Sequence, residues 1–234
     1  IINSCDMPVC LEDIMARVIG LKDRKDFETS YLCLNHFGWW TKIVDHEGMD
    51  LMPKISEHVK RQGYTENTQK GQHKEESWLE TMRAAKELHE IEPEYLPNTY
   101  LKYYLMGDST VEHANKEYTR ANEIIDGREK DVFSECRRIT ENGTAKDTSF
   151  KSNEHASFIT DLACALTFNT KERMILITEN RGAIANFAYD AMVELPCIVG
   201  KDGYEPISMG DIPTFEKGLM EQQIASEKLA VDAW

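Results

Sequence analysis

The chain has no Cys-x-x-Cys pair, no apolar run long enough to cross a bilayer, no Gly-x-Gly-x-x-Gly loop and no excess of basic charge. Each absence excludes something. A membrane-spanning helix needs roughly twenty consecutive apolar residues, and none is present. A net charge of -14 over 234 residues argues against general nucleic-acid binding, which sets cations against phosphates. It leaves small anionic substrates open, because a cationic pocket can sit on an acidic protein. Without the glycine-rich loop, no nucleotide-binding βαβ unit is predicted from these residues. The cysteines (Cys5, Cys10, Cys33, Cys136, Cys164 and Cys197) are too scattered for a disulfide framework. Ile1 to Asp6 lack the basic start and apolar stretch of a signal peptide. Reduced thiols and a cytoplasmic location are therefore expected, with most cysteines as small buried hydrophobes. Cys164 leads that group because it lies on an apolar helical face.

What is present reads as helix-rich α+β, one domain over residues 1–234, incomplete at both ends. Ile1-Ile2-Asn3 resembles the end of a strand with no earlier strand to pair with. Val9 to Leu21 is helical, with Leu11, Ile14, Met15, Val18 and Ile19 on one side. Tyr31 to His36 and Trp39 to Val44 read as a strand and its hairpin partner. Leu51 to Arg61 and Trp78 to Ile91 are helical, and Gly63 to Glu76 between them is polar and expected to be a mobile surface segment. A short aromatic helix follows Pro97, carrying Tyr100, Tyr103 and Tyr104. Lys116 to Ile139 is a long charged helix with a break near Gly127, closed by Asn142-Gly143. Glu154 to Phe168 is a helix, Arg173 to Thr178 and Met192 to Val199 are strands, and Pro213 to Trp234 is helical.

Four signals could carry chemistry. Cys5-Asp6-Met7-Pro8 sets a thiol and a carboxylate at a helix start, where both are favoured as anions. The plainer reading is a buried cysteine followed by an N-capping Asp, and on spacing alone it stands. His36 ends a strand. Cys5 and His36 could share a metal, but their spacing is not diagnostic, and a hydrogen-bonded core histidine is the simpler account. His46, His58, His73, His89 and His113 lie among charged residues and read as surface positions, while His155 begins an apolar helix. Tyr100 acts as a base only if nearby positive charge lowers its pKa; otherwise it packs. Arg120 could bind an anion or be tied up in an intrahelical ion pair.

Taken together, these segments resemble a known family. Asn3-Ser4-Cys5-Asp6-Met7-Pro8, Leu34-Asn35-His36-Phe37-Gly38-Trp39-Trp40, Leu96-Pro97-Asn98-Thr99-Tyr100 and Tyr118-Thr119-Arg120-Ala121-Asn122-Glu123 are similar, in this order, to glycoside hydrolase family 4. The likeness continues through Gly182-Ala183-Ile184-Ala185-Asn186 to Gly218-Leu219-Met220-Glu221-Gln222-Gln223. Within the family it is nearest the 6-phospho-α-glucosidases. Asp6 supports that branch, since Asn follows the ligand cysteine in the phospho-β enzymes and His in the α-galactosidases, the two alternatives. A non-catalytic metal-binding or assembly fragment is the remaining one.

The resemblance implies the C-terminal catalytic domain of a lactate-dehydrogenase-like fold, without its N-terminal Rossmann domain. It implies Cys5 and His36 as ligands of a divalent ion, usually Mn2+, Asp6 as general acid, Tyr100 as general base and Arg120 as a substrate contact. NAD would oxidise the sugar at C3 so that the C2 proton can leave, elimination and water addition would follow, and the cofactor would be restored. This family is an exception to the two-carboxylate scheme of glycoside hydrolysis. A thiolate and an imidazole alone would favour zinc or another borderline ion. With two protein ligands, however, substrate oxygens and water complete the sphere, which suits a hard, exchangeable ion. A phosphorylated disaccharide substrate and a homo-oligomer are expected, and the chain by itself is expected to be inactive.

Overall fold

The computed structural model describes residues 2–65, 76–148 and 154–234, leaving aside the side chains of 154 and 155. Helix α1 (Met7–Ile19) comes first, with Pro8 in its first turn and Gly20 closing it at φ 84°. Strands β1 (Phe27–Leu34) and β2 (Phe37–Asp45) form the expected antiparallel hairpin. Helices α2 (Met52–Gln62) and α3 (Glu76–Ile91) follow, then the short strand β3 (Leu96–Pro97). The aromatic segment is a single 3-10 turn, Thr99–Leu101, running into α4 (Lys102–Leu105), with α5 at Gly107–His113. Next come α6 (Arg120–Glu123) and α7 (Lys130–Asn142). The break foreseen at Gly127 is a π-helical stretch, Ile124–Glu129, that joins them without stopping the helix. After α8 (Glu154–Phe168) come β4 (Glu172–Glu179), β5 (Met192–Gly200), β6 (Gly203–Pro206) and α9 (Thr214–Ala233).

The sheet runs β3-β2-β1-β5-β4, with β6 also paired to β5, and every strand pairing within it is antiparallel. Both faces are covered. Along β1 the side chains alternate, so Leu32 and Leu34 join one core with Phe158 and Ala165 of α8 and Met220 of α9. Tyr31 and Cys33 face the other core, with Leu11, Ile14 and Met15 of α1 and residues of α2 and α3. The same alternation on β5 sends Val193, Leu195 and Cys197 to the first core. Glu194, between them in sequence, points to the other side and is paired in register with Cys33.

Several expectations change. Asn3, in the segment read as a strand end, bridges Ile177 of β4, whose N–H donates to the Asn3 carbonyl at 2.8 Å, and Ile1 lies outside the described residues. The polar segment foreseen as mobile has 66–75 outside the described residues, but its start is anchored. Tyr64 is buried and its hydroxyl donates to the Pro97 carbonyl at 3.1 Å. His89 is a core residue rather than a surface one, within 2.6 Å of the Ser56 hydroxyl. His73 and the side chain of His155 fall outside the described residues. Among the cysteines only Cys33 and Cys197 are buried. Cys164 is half-buried because one side of α8 stays at the surface, and Cys136, on α7, is exposed.

Candidate metal and catalytic site

The site assembles where the start of α1, the β1–β2 turn and the 3-10 turn after β3 meet. Asn3 and Ser4 hold the chain onto β4, the Ser4 hydroxyl donating to the Ile175 carbonyl at 3.0 Å. That places Cys5 and Asp6 at the mouth of α1. Asp6 occupies the N-cap position with helical backbone angles, φ -87° and ψ -10°, and makes no side-chain capping bond. The capping account of its presence therefore fails, since a cap works by accepting from the N–H groups of the first turn. Its Oδ1 instead lies 3.8 Å from the Cys5 thiol, which donates to it.

His36 sits in the hairpin turn at φ 66°, a left-handed conformation uncommon outside glycine. Two features hold it there. Gly38 lets β2 run against β1: a Cβ at that position would come within 2.2 Å of the Leu32 carbonyl oxygen. The Glu194 carboxylate accepts from the His36 backbone N–H at 3.5 Å. The outcome is that Cys5 Sγ and His36 Nε2 lie 3.4 Å apart, although thirty-one positions separate them in the chain.

Tyr100 completes the group. Asn98 is fully buried, and its side-chain oxygen accepts from the Tyr100 N–H at 2.9 Å, which opens the 3-10 turn. The Tyr100 ring meets the His36 ring edge-on with centroids 4.8 Å apart, and Tyr103 flanks it at 5.6 Å. Arg120 is held from two sides, 3.6 Å from Glu123 and donating to the Ser77 hydroxyl at 3.4 Å. The expected intrahelical ion pair is thus present. Its positive charge still reaches Tyr100 and Tyr103.

Burial dominates the electrostatics. It pushes the Cys5 thiol up, an effect to which the Glu194 carboxylate adds, and pushes the His36 imidazole down. It also raises the Tyr100 phenol, with Tyr103 adding to the rise and Arg120 opposing it. A cysteine sulfur and an imidazole nitrogen 3.4 Å apart, beside a buried carboxylate, suit a divalent cation, which takes the sulfur as its thiolate: two donors at about 2.0–2.3 Å from one ion span such a distance. Among the described residues no set of three or more His, Cys, Asp or Glu side chains converges on a metal position. The donor set fits a two-ligand site with open positions.

Glu194 was not foreseen. It lies in the apolar run Met192 to Val199, where a carboxylate is itself a signal, since such groups are rarely buried without a task. Its partners include the Tyr31 hydroxyl at 3.3 Å, and desolvation raises its carboxyl to about 7.

Residues 31–234 match the profile of the family 4 glycosyl hydrolase C-terminal domain. The chain belongs to glycosyl hydrolase family 4. It is 55% identical to maltose-6'-phosphate glucosidase MalH of Clostridium acetobutylicum over 234 residues, all of this chain and 53% of that protein. Two solved structures are also similar, both of 6-phospho-alpha-glucosidase from gut microorganisms. One, in complex with NAD and Mn2+, superposes with TM-score 0.90 at 41% identity, covering 100% of this chain and 52% of that one. The other, in complex with NAD and glucose-6-phosphate, superposes with TM-score 0.90 at 39% identity, covering 99% and 52%. The chain thus spans about half the length of the family 4 relatives it matches.

Proposed function

We propose that residues 1–234 are the catalytic portion of a cytoplasmic 6-phospho-α-glucosidase whose other half is a Rossmann domain binding NAD. Its substrates would be phosphorylated disaccharides such as maltose 6′-phosphate. The observation that carries this reading is the 3.4 Å approach of Cys5 Sγ to His36 Nε2, with Asp6 and Tyr100 beside it. The NAD, Mn2+ and glucose-6-phosphate bound by the similar enzymes support it.

Cys5 and His36 hold the divalent ion. Bound Mn2+ supplies a Lewis acid and bound NAD a hydride acceptor. Tyr100 takes the proton from C2 of the sugar, a role that needs positive charge to offset what burial does to its phenol. Arg120 already acts in that direction, and its guanidinium would contact an anionic or hydroxylated substrate. Asp6 donates a proton to the departing glycosidic oxygen as the C1–O bond breaks, water then adds to the C1–C2 double bond, and return to C3 of the hydride first taken from it makes the net reaction a hydrolysis.

The test is an assay of the whole protein, this chain together with its nucleotide-binding half. The α- and β-anomers of 4-nitrophenyl 6-phosphoglucoside are compared with NAD and Mn2+ supplied or withheld. Turnover of the α-anomer that requires both is expected, with residues 1–234 alone inert. Turnover without NAD, or a preference for the β-anomer, would overturn the reading.

A further inference from the structure

Two buried polar atoms beside the Cys5–His36 pair have no hydrogen-bond partner: His36 Nδ1 and Glu194 Oε1. They belong to residues that already meet, since Glu194 Oε2 accepts from the His36 backbone N–H at 3.5 Å. The same oxygen accepts from the Tyr31 hydroxyl at 3.3 Å, and that hydroxyl accepts from the Asn98 side chain at 2.9 Å. The carboxylate is therefore braced by the turn that carries His36 and by Tyr31, which is held in turn by Asn98, the residue that orients Tyr100. Its place is set by the sheet, through the Cys33–Glu194 register. A neutral imidazole that coordinates through Nε2 carries its proton on Nδ1, and ligand histidines generally donate that proton to a carboxylate or carbonyl. One orphan is such a donor, the other such an acceptor.

We propose that Glu194 is the positioning residue of the metal pair, holding the His36 turn through Oε2 and accepting the His36 Nδ1 proton through Oε1. The contact selects the tautomer that leaves Nε2 open and aims it at the Cys5 side. It also explains why a carboxylate is kept in an apolar strand: one oxygen serves the backbone of the ligand and the other its ring. The inference rests on the reading of Cys5 and His36 as ligands.

The experiment measures Mn2+ affinity of the whole protein by electron paramagnetic resonance of the free ion, with NAD affinity and melting temperature alongside. Glu194→Gln keeps the volume, but its single oxygen cannot serve both N–H groups. It should weaken Mn2+ binding about 10–100-fold while NAD affinity and melting temperature hold. Unchanged Mn2+ affinity overturns the proposal, and so does equal weakening of Mn2+ and NAD binding with a lowered melting temperature. Should the variant not fold, a crystal structure of the Mn2+-loaded wild type gives the answer: Nδ1 and Oε1 within about 3.2 Å support it, and a wider separation overturns it. Cys5→Ala and His36→Ala run in parallel keep the two readings apart. If they bind Mn2+ as the wild type does, the ligand assignment has failed; if they lose it and Glu194→Gln does not, only the present inference has.

Discussion

The side-chain amide of Asn98 donates to the Tyr31 hydroxyl across 2.9 Å, tying the turn that carries Tyr100 to the strand that leads to His36. The other end of the same amide accepts from the Tyr100 N–H at 2.9 Å. One buried residue thus sets the candidate base against the candidate ligand. Asn98→Ala removes a cap and leaves buried groups unpaired, which should cost about 1–3 kcal/mol of stability. It should also lower kcat more than it raises KM, because Tyr100 loses its orientation. Denaturant unfolding and steady-state kinetics on the whole protein check both, and an unchanged kcat would separate Asn98 from Tyr100.

Asp6 is distinguishable as an acid from Asp6 as a structural residue. A departing sugar oxygen needs a proton, whereas a nitrophenolate leaves readily as an anion. Asp6→Asn keeps the size but cannot donate an acidic proton. Maltose 6′-phosphate turnover should fall by about 10²–10⁴-fold, and 4-nitrophenyl substrate turnover far less. Equal losses on both substrates with a lowered melting temperature would remove Asp6 from the chemistry.

Glu12 ties α1 to the hairpin and gives a pH dependence. Its Oε1 accepts from the Thr29 hydroxyl at 2.8 Å and from the Trp40 indole at 3.0 Å. Desolvation raises its carboxyl above the ordinary 4.5, against the pull of those two donors. A carboxyl raised in the folded state binds more protons there than in the unfolded chain, so its contribution to stability falls as pH rises above 4.5. Glu12→Gln keeps the accepting oxygen and cannot ionise. The variant's stability, relative to wild type, should therefore improve as pH rises from 5 towards 8, a trend read from melting temperatures across that range. A relative stability independent of pH would contradict the assignment.

Much of this was legible in the sequence, and the limits have physical causes. Period-2 and helical spacing in single segments gave α1, the β1–β2 hairpin and β4 and β5 to within a few residues, because local pattern encodes local structure. By spacing alone the site was legible only as separate signals, and it was the family resemblance that grouped Cys5, Asp6, His36, Tyr100 and Arg120. Cys5 and His36 are brought to 3.4 Å by the anchoring of Asn3 and Ser4 on β4, a contact made across more than 170 positions. Glu194 escaped notice for the same reason: its register with Cys33 joins strands 161 positions apart, and nothing near it in sequence announces the pairing. His89 reads as a surface residue from its charged neighbours in sequence, while the neighbours that bury it come from α2 and the turn after α3.

The central claim is that Cys5 and His36 are the protein's two metal ligands, and Mn2+ dependence tests it most directly. Activity of the whole protein is titrated with Mn2+ for wild type, Cys5→Ala, His36→Ala and Cys164→Ala. Each ligand variant loses one of two protein donors and should need far more Mn2+ for its residual activity. Cys164→Ala, a half-buried cysteine on α8, should titrate as the wild type does. The same Mn2+ requirement in all four proteins would contradict the account.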